Sequence, residues 1–319
     1  MDHRPLGRSG LKVPRFSLGS WLTFGTAVDE DATRACVKLA LDAGITMFET
    51  ADAYGRGGAE RMLGKCLAGQ RRQDLVLASK AFWPMSDNPN DRGLSRKHLT
   101  ESLHGSLERL GTDYLDLYQC HRADPETPIE ETVRAMGDFI RQGRVLYWGV
   151  SFWSAEQISE ACRVADRLLL PRPISNQPPY SLVQRGVERD VVPTCQREGL
   201  GQIVFSPLAQ GILTGKYASG IPAGTRAADE RLGVSVRSIL QADVVQGVER
   251  LRPIASGLGI SMAQLALAWV RDRPGVDSVI LGARTPEQLR ENLGASDVTL
   301  SSDVCAAIER ALPAGNGPG

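Results

Sequence analysis

Four side chains capable of acid–base chemistry follow, or end, short apolar segments of the chain. They are a carboxylate, a phenol, an ammonium and an imidazole, at Glu49, Tyr54, Lys80 and His121. Each apolar segment is typical of a β-strand, and the chemistry of a parallel barrel collects where its strands end. We therefore expect the four groups to converge on one mouth.

Together the four groups suit proton donation to a carbonyl oxygen. Tyrosine is a weak acid with a free pKa of about 10, and a nearby ammonium favours the phenolate and lowers that pKa. A carboxylate would compensate the charge of a buried lysine, and the histidine would orient a carbonyl oxygen beside the phenol. Because no side chain can donate a hydride, the set indicates a nicotinamide cofactor.

Taken singly, each of these residues has an ordinary structural explanation. A tyrosine after a strand usually packs, a lysine at a strand end is usually solvated, and a lone histidine is more often structural. Their joint placement at three successive strand ends favours the catalytic interpretation.

Eight short apolar segments alternate with amphipathic ones. Continuous apolar character over four to six residues is typical of strands covered on both faces. These segments occupy residues 16–19, 45–49, 75–80, 114–119, 145–151, 173–177, 202–206 and 279–282. Capping boxes predict helix starts at Thr127, Ser154, Ser261 and Thr285, and further helices are predicted over 30–43, 58–68, 95–110, 187–198 and 246–258. The eight units predict an α/β fold, a (β/α)8 TIM barrel.

Two segments fall outside the eight units. Residues 4–14 are predicted to form a β-hairpin ahead of the first barrel strand. Residues 215–245 are predicted to form a long loop after strand seven, and loops of this length often act as lids. We expect one domain over residues 1–312 and a disordered tail over 313–319, which has nothing to bury.

Composition excludes several classes of protein. The 319 residues carry 37 Lys+Arg and 37 Asp+Glu, and this zero balance argues against a nucleic-acid binder or an anionic-membrane binder. Apolar runs are too short for membrane insertion, and no apolar region of a signal peptide follows the first residues. Six scattered cysteines without a C-x-x-C pair predict reduced thiols and a cytoplasmic location.

Sequence motifs for nucleotide and metal binding are incomplete. Glu60 stands where a Rossmann fingerprint would need its last glycine, and the segment 211–217 lacks the spacing of a P-loop. His98 and His104 fall within one predicted helix, where we expect them at the surface. We predict neither a Rossmann fold nor a metal site.

Several segments together resemble the aldo-keto reductase superfamily. They include Phe48-Glu-Thr-Ala-Asp-Ala-Tyr54, Ala78-Ser-Lys80, Asp116-Leu-Tyr-Gln-Cys-His121-Arg and Ser206-Pro-Leu-Ala-Gln-Gly-Ile-Leu-Thr-Gly-Lys216-Tyr. Segments 92–98 and 127–136 look most like the branch that contains potassium-channel β-subunits and their bacterial relatives. The resemblance extends from Leu6 to about Ala295, and the combined motifs are highly specific.

The resemblance implies a barrel that binds NADP(H) and carries an Asp-Tyr-Lys-His tetrad. Tyr54, Lys80 and His121 match the tetrad, whereas Glu49 replaces its Asp and is one methylene longer. This difference leaves open whether Lys80 moves towards Tyr54 or tilts away from it. The implied substrate pocket is lined by Trp21, Tyr54, Trp83 and His121, with Trp153 as a further candidate.

The resemblance also implies a set of cofactor contacts. Ser20 and Trp21 would flank the nicotinamide ribose, and Ser151 and Gln177 would bind the carboxamide. Phe205 would stack on the nicotinamide ring, with an ordinary strand residue as the alternative. The remaining contacts would follow the pyrophosphate and the adenosine end, at Ser206, Leu208, Gln210, Gly211, Lys216, Arg226, Gly282, Arg284, Gln288, Glu291 and Asn292.

Arg284 gives an independent physical reason to prefer NADP over NAD. It directly precedes the helix start predicted at Thr285, and a helix N-terminus with its unpaired N–H groups attracts anions. An adjacent guanidinium suits a 2′-phosphate. A solvated arginine ahead of a helix is the alternative.

Two functions are compatible with the sequence. The first is an NADPH-dependent carbonyl reductase, acting on small aldehydes or ketones. The second is an NADP(H)-binding, redox-sensing regulatory subunit with weak or no turnover. His121 favours the enzyme, because channel β-subunits carry a different side chain there. We also expect no segment ahead of the hairpin that would block a pore, and this expectation favours the enzyme as well. Relatives in this branch assemble into rings, so a homo-oligomer stays open.

Overall fold

The computed structural model describes residues 1–21, 24, 29–230 and 233–313. The last six residues of the predicted disordered tail, 314–319, lie outside this description.

Eight parallel strands close into a barrel, which confirms the predicted (β/α)8 fold. The closing pair joins the first barrel strand to the last one, with Val279 opposite Phe16. The barrel strands are β3 (Phe16–Gly19), β4 (Met47–Glu49), β5 (Val76–Ala81), β6 (Leu115–Cys120), β7 (Val145–Ser151), β8 (Ser175–Gln177), β9 (Gly201–Val204) and β10 (Val276–Leu281). Because all eight run in one direction, their carboxyl ends meet at one mouth.

Helices follow the strands along the chain and cover the outside of the barrel. The longest, α3, has 15 residues and buries one face that includes Leu99, Leu103 and Leu107. The helices are α1 (Glu30–Asp42), α2 (Gly58–Leu67), α3 (Arg96–Leu110), α4 (Ile129–Arg141), α5 (Ala155–Arg167), α6 (Val191–Glu198), α7 (Gly233–Arg237), α8 (Ala242–Glu249), α9 (Arg252–Gly257), α10 (Met262–Arg271), α11 (Pro286–Leu293) and α12 (Ser302–Ala311).

The capping boxes predicted at helix starts are confirmed in part. Ser154 and Ser261 form complete capping boxes. Thr285 caps α11 through the N–H of Gln288, although the Gln288 side chain bonds to the Arg284 N–H instead. The capping box predicted at Thr127 is wrong, because its hydroxyl donates to Asp124 and the N-cap of α4 is Pro128, which provides no side-chain cap.

The helix predicted over residues 246–258 is two helices. The break follows from Pro253 near the start of α9, since proline has no N–H to continue the hydrogen bonding of α8. The helix predicted over 187–198 begins only at Val191, after a single 3-10 turn over Gly186–Glu188.

A two-stranded hairpin, as predicted, packs at the amino ends of the last strands. β1 (His3–Pro5) pairs antiparallel with β2 (Lys12–Pro14). The Gly7 N–H donates to Asp277 at 2.8 Å, and a Cβ on Gly7 would lie 2.4 Å from the Gly199 oxygen. Leu6 joins the apolar cluster inside the barrel. The hairpin therefore covers the amino end and leaves the carboxyl end for a site.

The predicted loop over residues 215–245 contains short helices. A 3-10 turn at Arg226–Ala228 precedes α7, and α8 begins at Ala242. Val236, Ile239 and Val244 in this segment are buried. The loop prediction is thus wrong in detail, because these spaced apolar residues fold the segment onto the core.

In the described part of the chain, no helix by itself has the length and apolar character to cross a membrane. One pair passes that test only when combined, residues 242–257 with 262–271, and it is bent by 94°.

Candidate active site

A buried lysine lies at the centre of the mouth that the carboxyl ends of the strands form. The Lys80 ammonium contacts the Glu49 carboxylate and donates to the Thr50 carbonyl at 2.9 Å and to the Tyr54 hydroxyl at 3.0 Å. These three acceptors match the three donors of an ammonium. The longer Glu49 side chain therefore keeps Lys80 against Tyr54, which resolves the geometry that the sequence left open.

A glycine leaves room for the glutamate. A Cβ on Gly19 would lie 3.0 Å from Glu49 Oε2 and 2.5 Å from the Ile280 side chain. The neighbouring strand β3 thus approaches β4 without a side chain at this point, and the carboxylate occupies the space beside it.

The expectation that Lys80 lowers the pKa of Tyr54 is wrong. Burial, followed by the Glu49 carboxylate, raises the pKa of Tyr54 well above its ordinary value. Glu49 touches the ammonium and lies 3.5 Å from the phenol oxygen, so it offsets the positive charge that would favour a phenolate. The phenol is protonated at neutral pH, which is the form that a proton donor needs.

His121 lies beside the phenol. Its ring meets the Tyr54 ring edge-to-face with centroids 5.7 Å apart. Burial, together with the charges of Lys80 and Arg122, places the pKa of His121 well below its ordinary value. The imidazole is therefore neutral, and its Nδ1 has no hydrogen-bond partner within the described residues.

Two indoles border the mouth. The Trp21 ring centroid lies 6.5 Å from that of Tyr54, and the Trp83 centroid lies 6.1 Å from that of His121. Both indoles are exposed. The predicted pocket residues are thus neighbours in space, whereas Trp153 is buried in the core.

The residues predicted for the nicotinamide end also lie at the carboxyl ends of strands. The Ser151 hydroxyl donates to the Gln177 carbonyl at 2.8 Å, so these two residues are in contact. Gln177 Nε2 and Ser20 Oγ are buried and without a partner in the described ranges. Such unsatisfied polar atoms are costly unless a ligand or water pairs with them, so they fit a polar group such as a carboxamide. Phe205 is half-buried and packs on Phe152.

The segment after β9 turns sharply. Ser206, Ala209 and Gln210 have positive φ values of 56°, 46° and 57°, and Leu208 lies between them. Gly211 has a φ of 97°, and a Cβ there would lie 2.6 Å from Lys216 Nζ. The glycine therefore permits the close approach of the Lys216 ammonium to the backbone of this turn.

Three cations gather beyond the turn. Burial and then the charges of Arg226 and Arg284 lower the pKa of Lys216, and burial and then Arg284 lower that of Arg226. No carboxylate of the described residues perturbs either group, and the residues outside the description include no Asp or Glu. Mutually repelling cations without a counter-charge fit a phosphate.

The other predicted adenosine contacts surround α11. Gly282 is exposed just after β10, Gln288 is exposed in the first turns, and Asn292 is buried. Glu291 lines a cleft of about 250 Å³ together with Thr214, Arg252 and Ser261.

Sequence reasoning missed two features of the site. The Thr50 carbonyl has no sequence signal, because every residue carries one. Arg122 follows His121 directly, and this position at a strand end was the available signal. Its guanidinium lies 3.6 Å from the Phe152 ring centroid and 5.3 Å from that of Trp83.

Two other ionisable side chains are buried, and for His98 this contradicts the expectation. His98, predicted at the surface, is buried and faces Asp91 at 3.4 Å, whereas His104 is exposed. Asp52, within the segment that carries Tyr54, is fully buried and accepts hydrogen bonds from the Ser102 hydroxyl and the Ala53 N–H. Burial raises the pKa of Asp52 to about 7.

We expect Asp52→Asn to flatten the pH dependence of stability. The folded-state pKa of Asp52 lies above the unfolded value, so its contribution is fully present below about pH 4 and is lost as the pH rises to about 7. At pH 8 the variant should be more stable than the wild type by up to about 4 kcal/mol. Urea unfolding of both proteins at pH 5 and pH 8 measures this difference. An unchanged difference between the two pH values would contradict the raised pKa.

Comparisons with known proteins show the family of the chain. The model of the Aldo/keto reductase family matches residues 15–313. The chain belongs to this family. Its members combine a (β/α)8 barrel with oxidoreductase chemistry and generally bind NAD(P)(H), and the barrel described above is the aldo/keto reductase fold.

Three curated relatives of this aldo/keto reductase carry channel names. It is 47% identical to the probable voltage-gated potassium channel subunit beta of Oryza sativa subsp. japonica, with 97% of this chain and 96% of that one covered. Identity to the protein of the same name from Arabidopsis thaliana is 45%, with 93% and 92% covered. Identity to the putative voltage-gated potassium channel subunit beta of Schizosaccharomyces pombe is 43%, with 97% and 92% covered.

Proposed function

We propose that this protein is an NADPH-dependent reductase of small aldehydes or ketones. The observation that carries the proposal is the protonated Tyr54 phenol, 3.0 Å from the Lys80 ammonium and beside a neutral His121 at an open mouth. A proton donor with an adjacent cation suits an oxygen on which negative charge develops.

Each residue of the mouth has its own role in the proposed reaction. Bound NADPH would supply the hydride that reduces the carbonyl carbon. Tyr54 donates its phenolic proton to the carbonyl oxygen, which gives the alcohol, and Lys80 stabilises the phenolate that remains. Solvent then returns the proton to Tyr54. His121 orients the carbonyl oxygen, and Glu49 holds Lys80 in place.

The cofactor preference rests on the three cations. In this proposal Lys216, Arg226 and Arg284 bind the phosphates, and Arg284 with the start of α11 binds the 2′-phosphate that distinguishes NADPH from NADH. Gln177 and Ser20 hold the nicotinamide end, where their buried polar atoms have no partner among the described residues.

We expect Arg284→Ala to weaken NADPH binding about 10- to 100-fold and to leave NADH binding nearly unchanged. A hydrogen bond to a charged group contributes about 1.5–3 kcal/mol, and about 1.4 kcal/mol corresponds to a factor of ten. Titration of protein fluorescence with each cofactor measures the two dissociation constants. Arg290→Ala, on the exposed face of the same helix, is the matched control. Equal losses for the two cofactors would refute the phosphate role.

Stopped-flow mixing of the NADPH complex with a reactive aldehyde tests the reductase function. Absorbance at the nicotinamide band should fall over many turnovers when NADPH is in excess. A single slow turnover, or none, would instead favour the second candidate function.

That second candidate is an NADP(H)-binding regulatory subunit. It is favoured by the names of the three relatives, each of which is called a probable or putative potassium channel subunit beta. In this case oxidation of bound NADPH would change the affinity for a membrane-protein partner. The Tyr54–Lys80–Glu49 contacts are compatible with both candidates, and the turnover number separates them.

A further inference from the structure

One guanidinium at the mouth has no role in the mechanism above. Arg122 follows β6, and its Nη1 donates to the His121 carbonyl at 2.6 Å. Its charge acts on all three reactive groups: it lowers the pKa of His121 and Lys80, and it opposes the rise in the pKa of Tyr54. Arg122 is therefore a cation within electrostatic range of the reacting centre.

This cation is half-buried without a carboxylate. Burial lowers the pKa of Arg122, and the only described group that raises it is Tyr54. The undescribed residues contain no Asp or Glu either. Arginines elsewhere in the protein pair differently: Arg72 pairs with Asp116 and Arg109 with Glu60, for example. A guanidinium has five N–H donors. Arg122 makes one hydrogen bond to the described residues, so most of its donors are available to bind a ligand.

Aromatic side chains hold the guanidinium in place. It lies over the Phe152 ring at 3.6 Å and near the Trp83 ring at 5.3 Å. Phe152 has a positive φ of 59°, which is rare for a bulky residue, and both aromatic rings are exposed. Cation–π contacts fix the position of a guanidinium without neutralising its charge.

We propose that Arg122 is a subsite for an anionic group of the substrate, and that the preferred carbonyl compounds carry a carboxylate on a flat, apolar body. The inference rests on the proposed reductase function and adds its substrate class. Guanidinium and carboxylate match as a bidentate pair, and the walls formed by Trp21, Trp83 and Phe152 suit an aromatic or unsaturated body between the carboxylate and the reacting carbonyl.

The test compares three aldehydes of similar size. We would measure kcat/KM for 4-carboxybenzaldehyde, 3-carboxybenzaldehyde and the neutral methyl 4-formylbenzoate. The wild type should prefer a carboxylate substrate over the ester. Arg122→Met should lower kcat/KM for that substrate about 10- to 100-fold more than it lowers kcat/KM for the ester, and the NADPH dissociation constant should change less than about threefold. Raising the salt concentration should reduce the preference of the wild type.

Two variants serve as controls. Arg122→Lys keeps the charge but not the planar fork, and it should retain part of the preference. Arg189→Met removes an exposed arginine that pairs with Asp190, and it should change nothing. Equal losses of kcat/KM for carboxylate and ester, or a matching loss of NADPH affinity, would overturn the subsite.

A binding measurement separates this inference from the reductase function. In calorimetry with NADP⁺ present, benzoate should bind the wild type more tightly than Arg122→Met, whereas benzyl alcohol should bind both alike. If no aldehyde is reduced but benzoate binds the wild type more tightly than Arg122→Met, the anion subsite is supported and the reductase function is wrong. If aldehydes are reduced but neither measurement depends on Arg122, the reductase stands and the subsite is wrong.

Discussion

Tyr54→Phe is expected to lower kcat for aldehyde reduction by about 10²–10⁴-fold, the usual contribution of a positioned general acid. The change removes one oxygen from a partly buried side chain and leaves the ring in contact with His121. NADPH should therefore still bind with its wild-type dissociation constant. Steady-state kinetics and fluorescence titration measure the two quantities separately.

A matched control is available within the barrel. Tyr147→Phe removes the hydroxyl of a partly buried tyrosine that packs in the interior cluster, and it should leave kcat unchanged. If Tyr54→Phe retains turnover, Tyr54 is not the proton donor. If both kcat and NADPH affinity collapse, the loss reflects the cofactor site rather than proton transfer.

Glu49→Gln is expected to destabilise the fold by about 3–5 kcal/mol, because it leaves the fully buried Lys80 ammonium without its carboxylate. The same change should lower kcat, because more of the Lys80 side chain would be neutral and would interact more weakly with the Tyr54 oxygen. Urea unfolding at pH 7 gives the free energy, and kinetics at several pH values give the dependence on Lys80.

Two further variants separate charge from shape. Glu49→Asp keeps the charge and shortens the side chain by one methylene, so it should restore most of the stability and activity. The double change Glu49→Gln with Lys80→Met removes both charges, and it should be more stable than Glu49→Gln alone but inactive. Equal stability of Glu49→Gln and the wild type would show that the buried pair does not stabilise the folded state.

The barrel was predicted from the alternation of apolar and amphipathic segments along the sequence. Each of the eight strands was predicted within a few residues, because buried parallel strands are apolar on both faces and are separated by amphipathic helices. The errors arose where local signals compete. The Thr127 hydroxyl donates to Asp124 and accepts no hydrogen bond from the first turn of α4. Pro253 divided a helix that its apolar pattern extends across. The segment 215–245 folded because distant core residues cover its isolated apolar side chains.

At the site, the sequence was sufficient to predict which groups meet, because strand direction brings the residues at the strand ends to one mouth. How those groups act on one another follows from their positions in the folded protein. Three properties depend on burial and on distances of a few ångströms. They are the contact of Glu49 with Lys80, the raised pKa of Tyr54, and the charge of Arg122, which no described carboxylate offsets. Electrostatic energies in a low-dielectric interior change steeply over such distances, and no sequence pattern specifies them.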